Sequence, residues 1–513
     1  MYSENKGHIK LFLILLSAIS IRLLFFAGPL GSDDTVYFER SLEIANGIWT
    51  SADYNGALRY GFNIPAGFFL YCFGPSYFNV NLWPFLCSII EIIIVYYFSS
   101  YFLGRKAAVY SAIILAFLPI HICAATKIHA DSVISLFISL SFILFFIGIK
   151  QNRSIFYFLS GLSTGFVFWC RELAIFYMIA FFIYPLLFKC LKKNMLYFIF
   201  GGIVMLLSHL CLIFFVSGDP FHFFNTIFNQ INADFIHGTK IHDPFFYFTY
   251  LFLKPFHTGI LGYLFFGGCV LIFTKMNPVS EGHRYLAYWA ISLLLLFSFF
   301  PISFSPFKFV TKQVNYMTMF MTPLAILSGC FLSQLPRKAV SICLTIIFFT
   351  GISLGAMEQQ TRRVFISNSQ AVVSFAKENP TAVIYGSSNN VHIAKNVSLI
   401  ERSNLSDRIL PLKSMKKARE IPENSYAVID LETIGWSARD KKYNQIPPCW
   451  SYVKTLAPEG FGLGHELLGL MIKLFNTMPY TPAKVEAMLI KYYRPKTAKV
   501  YRITCFNEKS SSQ

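Results

Sequence analysis

The sequence predicts a mainly α fold: a polytopic membrane helix bundle of about 11 transmembrane helices with a small C-terminal extracytoplasmic α/β domain. Three observations predict it. Of 513 residues, 55% are hydrophobic and 14% are charged, whereas a soluble chain carries roughly 25% charged residues. Apolar runs long enough to span a bilayer, roughly 20 residues, recur from residue 11 to residue 356. Residues 1–356 hold 22 Lys/Arg and 13 Asp/Glu, and the much shorter stretch 357–513 holds the same numbers, so the apolar part ends near Met357. This composition excludes a disordered chain, a coiled coil and a secreted disulfide scaffold.

The spans fall near 11–29, 79–103, 107–124, 131–149, 155–170, 173–188, 195–216, 258–274, 285–301, 315–333 and 339–356. Arg22 interrupts the first, and no small-residue cleavage site follows it, so it reads as a retained span and not as a cleaved signal. One set of connections is short and basic. It holds Lys6, Lys10, Arg105, Lys106, Lys150, Arg153, Lys189, Lys192, Lys193, Lys275, Arg284, Arg337 and Lys338 against only Glu4 and Glu281. The opposite set carries the acids Asp33, Asp34, Glu39, Glu43, Asp53, Asp131, Glu172, Asp219, Asp234 and Asp243. Basic connections stay in the cytoplasm, which predicts an inside N-terminus and an outside tail in an integral plasma (inner) membrane. The excess of 44 Lys/Arg over 26 Asp/Glu then reflects lipid contact and orientation. A nucleic-acid partner is not expected, because no basic helix or arm is present.

Two domains follow: a transmembrane domain, 1–356, with long external loops 30–62 and 217–257, and a soluble domain, 357–513. In the first loop, Thr35–Gly47 reads as a helix preceded by the N-cap cluster Ser32-Asp33-Asp34-Thr35. In the second, Asp243-Pro244-Phe245-Phe246-Tyr247-Phe248 opens an interfacial aromatic segment. In the tail, Ala382–Tyr385, Tyr426–Leu431 and Lys499–Thr504 read as strands and Ser369–Lys377 as a helix, while Ser510–Gln513 reads as disordered. Gly386-Ser387-Ser388 lacks the pattern of a nucleophile elbow and carries no catalytic weight. Of 11 cysteines, Cys449 and Cys505 stand alone in the tail and are the candidates for a disulfide if it lies outside the cytoplasm.

Ionisable groups near a bilayer are functional candidates, and here they gather at the outer ends of spans: Asp33 and Asp34; Lys127, His129 and Asp131; Arg171 and Glu172; Lys308 and Lys312 followed by Tyr316. A carboxylate can take a proton from an attacking hydroxyl, and Arg and Lys can hold a phosphate that becomes a leaving group. For any one residue, marking a helix end is the plainer reading; for the set, it is not.

The stretch Asp33-Asp34-Thr35-Val36-Tyr37-Phe38-Glu39, closing with Ala45-Asn46-Gly47-Ile48-Trp49, resembles the first external loop of the GT-C glycosyltransferases. The resemblance is to the family 39-like branch of lipid A aminoarabinose transferases and protein O-mannosyltransferases. Leu58-Arg59-Tyr60, Pro65 and Phe73-Gly74 continue it, as do Asp131, Arg171, Asp243-Pro244-Phe245-Phe246-Tyr247, and Lys312 with Tyr316 and Pro323. It covers residues 10–335, and no single motif in it is specific. The sequence departs from the branch at Phe62 and Asn63, near where those enzymes have Glu-Lys, and at Val36, where many have Arg.

The resemblance implies a hexosyl- or pentosyltransferase with a polyprenyl-phosphate sugar donor, an envelope lipid, glycan or protein acceptor, and inversion at the anomeric carbon. It makes Asp33, Asp34 and Asp131 the catalytic candidates, and Arg171, Lys312 and Tyr316 the contacts of the donor phosphate. Tyr37, Arg59, His129, Glu172 and His242 are candidate substrate contacts. A divalent cation is a candidate cofactor, since His121, His129 and Asp131 cluster in sequence, as do His237, His242 and His257, without tight zinc spacing. Glu91, inside the second span, reads as a packed, partnered acid. The competing classes are a transporter or lipid flippase, which calls for inverted repeats and midplane charges, and a non-enzymatic envelope receptor or scaffold.

Overall fold

The computed structural model describes residues 2–172, 174–237, 241–275, 280–305, 307–416, 421–422, 424–436, 440, 443, 445–477 and 483–504. The chain forms two compact units: Met1–Leu24, Arg40–Cys72 and Asn79–Gly355 make the first, and Phe25–Glu39, Phe73–Phe78 and Ala356–Gln513 the second.

Among the described residues a helix fills most of each of the eleven apolar segments, the first of them ending at Leu24. Among the described residues, six helices are long and apolar enough to cross a membrane: Gly7–Leu24, Leu82–Phe102, Asp131–Gln151, Lys193–Ser217, Val314–Gln334 and Arg337–Glu378. Arg105–Phe117 and Pro119–Thr126 make a seventh when their 57° bend is counted within one span. The bend has a local cause, because Pro119 has no N–H to continue the first piece and starts the second. Ser154–Cys170, Phe176–Leu187 and Leu261–Ile272 are shorter apolar helices. Glu281–Phe299 starts at Ser280, whose side chain accepts from the His283 N–H.

Two devices hold the first unit together. One is close approach. Gly161 and Gly201 let the helices Ser154–Cys170 and Leu196–Ser217 touch backbone to backbone; a Cβ on Gly161 would lie 2.0 Å from the Phe198 carbonyl oxygen. In a bilayer, where apolar burial does not drive association, small residues permit this packing. The other device is a buried polar knot. Glu91 accepts from Ser135 at 2.9 Å, Ser139 at 2.7 Å and Thr322 at 2.5 Å, and its second oxygen lies 3.1 Å from His121 Nε2. Arg22 sits 2.8 Å from His121 Nδ1 and donates to Ser88 and to the Ala18 and Ala116 carbonyls. All of these groups are buried, so satisfying them fixes how six helices meet.

The second unit contains a five-stranded mixed sheet. Its strands are β3 (Val383–Gly386), β4 (Ile409–Pro411), β5 (Ser425–Asp430), β6 (Trp450–Leu456) and β7 (Ala498–Ile503), in the order β4-β3-β5-β7-β6; β1 (Pro301–Phe304) and β2 (Phe307–Phe309) form a separate antiparallel pair in the first unit. β3 runs parallel to β4 and β5, and β7 antiparallel to β5 and β6. Helix Ser388–Glu401 follows β3 behind a capping box formed by Ser387 and Asn390. Cys449 is disulfide-bonded; Cys505 and Ser510–Gln513 lie outside the described residues.

The sequence separates a span at 339–356 from a helix at Ser369–Lys377, whereas the structure joins them in one 42-residue helix, Arg337–Glu378. The intervening residues 357–368 are polar but hold no Pro or Gly, and polarity alone does not end a helix. The segments 25–39 and 73–78, assigned from sequence to the first domain, pack with the tail.

Replacing Gly161 by Leu drives a side chain into the Phe198 carbonyl. The expected cost is at the upper end of roughly 1–3 kcal/mol, read as a lowered midpoint in thermal unfolding of the detergent-solubilised protein, while Gly74→Leu or Gly104→Ala, which meet open space, separates steric cost from backbone strain.

Candidate active site

In the first unit the charged groups converge on Asp131, the first residue of helix Asp131–Gln151, whose side chain is fully buried. Lys127 pairs with one carboxylate oxygen from one turn upstream. His129 Nδ1 lies 2.9 Å and Arg171 Nη1 3.3 Å from the other oxygen, and Asn315 Nδ2 donates to it at 3.3 Å. The backbone explains part of this arrangement. A carboxylate in the first turn of a helix faces the unpaired N–H groups and the positive end of the dipole. Residues 127–130 then bend back over that end, since the preceding helix stops at Thr126.

Arg171 follows helix Ser154–Cys170 in extended conformation. Its Nη2 lies 3.2 Å from His129 Nε2 and its guanidinium stacks 4.9 Å from the Tyr316 ring centroid. This geometry fits a neutral His129 that keeps its proton on Nδ1 toward Asp131 and presents Nε2 as acceptor to Arg171. Burial, with Arg171 and Lys127 alongside, outweighs Asp131 and pushes His129 down to about 4. Glu172 pairs with Arg59 at 3.4 Å. Burial would raise the Glu172 carboxyl, but Arg59 and Arg171 hold it below its ordinary value. Tyr316 lies within electrostatic reach of Arg171, Glu172, Arg59 and Asp131 together.

Lys312 stands beside this group. Its backbone N–H donates to the Ile241 carbonyl at 2.8 Å, and its Nζ donates to the carbonyls of Phe297 and Ser298, the latter at 2.8 Å. The ammonium lies 5.8 Å from the Tyr247 ring centroid and 5.9 Å from that of Phe309. Burial lowers Lys312 to about 8, against the opposing effect of Asp243. His242 Nδ1 lies 2.7 Å from the Phe309 carbonyl oxygen, a backbone contact that stitches the loop after residue 241 to β2.

Asp33, Asp34 and Tyr37 belong to the second unit. Asp33 is exposed and opens helix Asp33–Ala45, and Tyr37 is buried. Asp34 is buried and accepts backbone N–H bonds from Leu30 at 2.5 Å, Gly31 at 3.2 Å and Ser32 at 2.8 Å. Among the described residues no three His, Cys, Asp or Glu side chains are placed to share a metal ion; the side chain of His237 lies outside them.

Thus Asp131, Arg171, Tyr316, His129, Glu172 and Arg59 come together. Sequence reasoning did not single out Asn315 or Tyr247 as members of the site, and it placed Lys127 in the set of charges at span ends without giving it a role. The i, i+4 spacing of Lys127 and Asp131 was the available signal for the lysine; nothing marks Asn315 except its place before Tyr316.

The chain has the polytopic helical GT-C fold seen in the ArnT structures. Residues 64–214 match the family described as dolichyl-phosphate-mannose-protein mannosyltransferase, the branch that the sequence resembles. Among solved structures, ArnT from Cupriavidus metallidurans in the apo state matches with a TM-score of 0.60 at 16% identity, covering 88% of this chain and 97% of that one. The same protein bound to undecaprenyl phosphate matches with a TM-score of 0.58 at 16% identity, over 87% and 96%. The archaeal oligosaccharyltransferase AglB from Archaeoglobus fulgidus, in complex with an inhibitory peptide and a dolichol-phosphate, matches with 0.52 at 12% identity, over 90% and 74%. No curated protein sequence matches the chain.

His129 carries a pH signature. Its lowered value means that the folded chain binds fewer protons than the unfolded one between about 4 and the ordinary 6.5, so stability present above that window falls as pH drops through it. Equilibrium unfolding from pH 7 to 4 should show this slope, and His129→Gln should flatten it.

Proposed function

We propose that the chain transfers a sugar from a polyprenyl-phosphate donor to a hydroxyl of an envelope lipid, glycan or protein on the extracytoplasmic face, inverting the anomeric centre. The short basic connections support this orientation, with the N-terminus in the cytoplasm and the tail outside.

One observation carries this reading: a buried cationic head site held by a chain segment whose next residues line an apolar groove. The Lys312 ammonium is held by the carbonyls of Phe297 and Ser298. The next residues along the chain, Phe299, Phe300 and Pro301, line a cavity of about 920 Å³ that continues along helix Glu281–Phe299 to Arg284. At roughly 1.5 Å per residue that path is about 24 Å long, and nearly all its lining is apolar. Among the described residues, Arg171 Nε is buried without a hydrogen-bond partner, and Lys312 has a third N–H to offer. A phosphate with a long isoprenoid tail has the matching chemistry. ArnT, whose fold this chain shares, has been solved bound to undecaprenyl phosphate.

In the proposed reaction Asp33 takes the proton of the acceptor hydroxyl. The hydroxyl oxygen bonds to the anomeric carbon from the face opposite the phosphate, and the carbon–phosphate-oxygen bond breaks. Polyprenyl phosphate leaves with the electron pair, its charge met by Arg171 and Lys312 with Tyr316 at the edge. Asp131 orients Arg171 and the acceptor side of the site.

Undecaprenyl phosphate binding to the purified protein tests the head site. Charge-assisted contacts contribute roughly 1.5–3 kcal/mol each, and about 1.4 kcal/mol is one decade; Arg171→Ala and Lys312→Ala should each weaken binding at least about tenfold. Because Lys312 sits at about 8, wild-type affinity should fall as pH rises from 7 to 9, and Lys312→Arg should abolish that fall. Unchanged affinity in both alanine variants rejects the site.

The acids separate by turnover on a panel of labelled polyprenyl-phosphate sugars. General-base assistance contributes roughly 10²–10⁴-fold, so Asp33→Asn should lose at least about a hundredfold with donor binding kept. Asp34→Asn retains an acceptor for its N–H partners and should keep more activity with a lower unfolding midpoint. The reverse ranking moves the base to Asp34, and normal turnover in both variants removes the carboxylate-base mechanism.

A further inference from the structure

The geometry points to a task for the C-terminal domain: it positions the Asp33 turn through a hydrogen-bonded chain that ends at Asn389. This rests on the reading of Asp33 as the base.

The turn that presents Asp33 belongs to the same compact unit as the tail. Two consecutive residues, Leu30 and Gly31, are gripped from both sides. The Asp34 carboxylate accepts from their N–H groups at 2.5 and 3.2 Å. The Asn389 amide donates to their carbonyls at 3.0 and 3.4 Å. Asn389 comes from the first turn of helix Ser388–Glu401, behind β3. Gly31 makes the approach feasible. It has φ +84°, and a Cβ there would lie 2.3 Å from the Asn389 amide nitrogen, so a side chain at this position would be strained and would also block the grip.

The amide cannot turn over without loss, because Ser369 donates to Asn389 Oδ1 at 2.6 Å. Ser369 in turn accepts from Asn390 Nδ2 at 2.8 Å, and Asn390 reaches Asp430 at the end of β5 at 3.3 Å. Asp430 is further held by Asn368 at 2.7 Å and Thr433 at 2.5 Å. Ser369, Asn390 and Asp430 are fully buried and Asn389 nearly so. Buried, mutually satisfied polar groups have one arrangement and specify it strongly. The flanks of the turn are tied as well: Gln359 and Arg363 donate to the Phe26 carbonyl at 2.9 and 3.1 Å, and Lys395 pairs with Glu39 at 2.6 Å. The exposed aspartate opens the helix that this turn leads into and moves with it, and displacement of a reacting group by about 1 Å can cost about a hundredfold in rate. Asn389 is on this account a positioning residue that touches no substrate.

Asn389→Ala and Asn389→Asp in the full-length protein test this, with Ser369→Ala as a variant that leaves the turn's direct partner in place. Asn389→Asp preserves size but removes the donor. Two readouts are taken: amide hydrogen exchange of peptides covering 28–36, and kcat and KM with the labelled undecaprenyl-phosphate sugar that the wild type consumes. The expected result is at least tenfold faster exchange at Gly31 and Ser32 in both Asn389 variants, with peptides from β3 and β5 unchanged. It is accompanied by a tenfold or larger fall in kcat, with KM for the donor and binding of undecaprenyl phosphate within twofold, and Ser369→Ala shows a smaller change in the same direction. Unchanged exchange overturns the grip whatever happens to turnover. Faster exchange with normal kcat overturns the catalytic meaning of the grip. Loss of exchange protection throughout β3 and β5 in every variant also overturns it, by showing that Asn389 and Ser369 hold the sheet and not the turn. A wild-type protein that consumes no member of the sugar panel rejects the proposed function, and the exchange result still decides whether the tail holds the turn.

Discussion

A carboxylate with no exposure to water, at the end of an apolar helix, sets the terms for the membrane unit. Taking one charge out of water costs several kcal/mol even after the surroundings relax, so Asp131 can exist only if partners are brought to it. Lys127 comes from the preceding turn, His129 from the bend, Arg171 from the end of another helix and Asn315 from a short 3-10 turn after β2. Three separate stretches of chain must therefore converge on one atom pair, and in doing so they assemble a cationic, aromatic-lined site. The acid organises; the cations it gathers then have their remaining donors available.

The same rule works deeper in the bundle. Glu91 draws Ser135, Ser139, Thr322 and His121 to itself. Ser135 is one turn along the helix that Asp131 begins, Thr322 lies beyond Tyr316 on its helix, and His121 sits on the short helix leading to Lys127. The polar knot and the charged site thus share three supports, so that the depth and rotation of those helices are set twice. Specificity of this kind is a recognised role of buried polar groups, and it suits a bundle whose lipid-facing surfaces cannot drive a unique packing.

Much of this was legible in the sequence, for reasons that differ residue by residue. Spans announce themselves by composition, since a bilayer admits no other backbone solution; a helix fills most of each apolar segment, whereas the bend at Leu118, the length of the last helix and the helices Tyr60–Phe73 and His222–His237 were unmarked. Charges at one depth on different spans were legible as a set because water-facing and lipid-facing positions differ so sharply in cost. That reading brought together Asp131, Arg171, Tyr316, His129 and Glu172, while Arg59 entered through the resemblance. The Lys127 pairing and Asn315 were not legible as parts of the site: the first depends on how residues 127–130 bend, the second on a neutral side chain that leaves no trace in charge or hydropathy. The tail gave three of its five strands, because β3, β5 and β7 are buried and rich in Val, Ile and Tyr, whereas β4 has three residues and most of β6 is exposed. The membership of residues 25–39 in the tail's unit had no local signal, since it is written in contacts hundreds of residues away.

That separation has a consequence for how the molecule is made. Leu30 and its partner Asn389 are 359 residues apart. A ribosome adds roughly 5–20 residues per second, so the amino-terminal turn waits on the order of 20–70 s, through the insertion of every span, before the side chain that grips it exists. The turn is among the first segments to be synthesised and among the last to be settled. A chain that stalls just short of Asn389 carries its membrane helices and its cationic site, yet the grip on its exposed carboxylate has never formed.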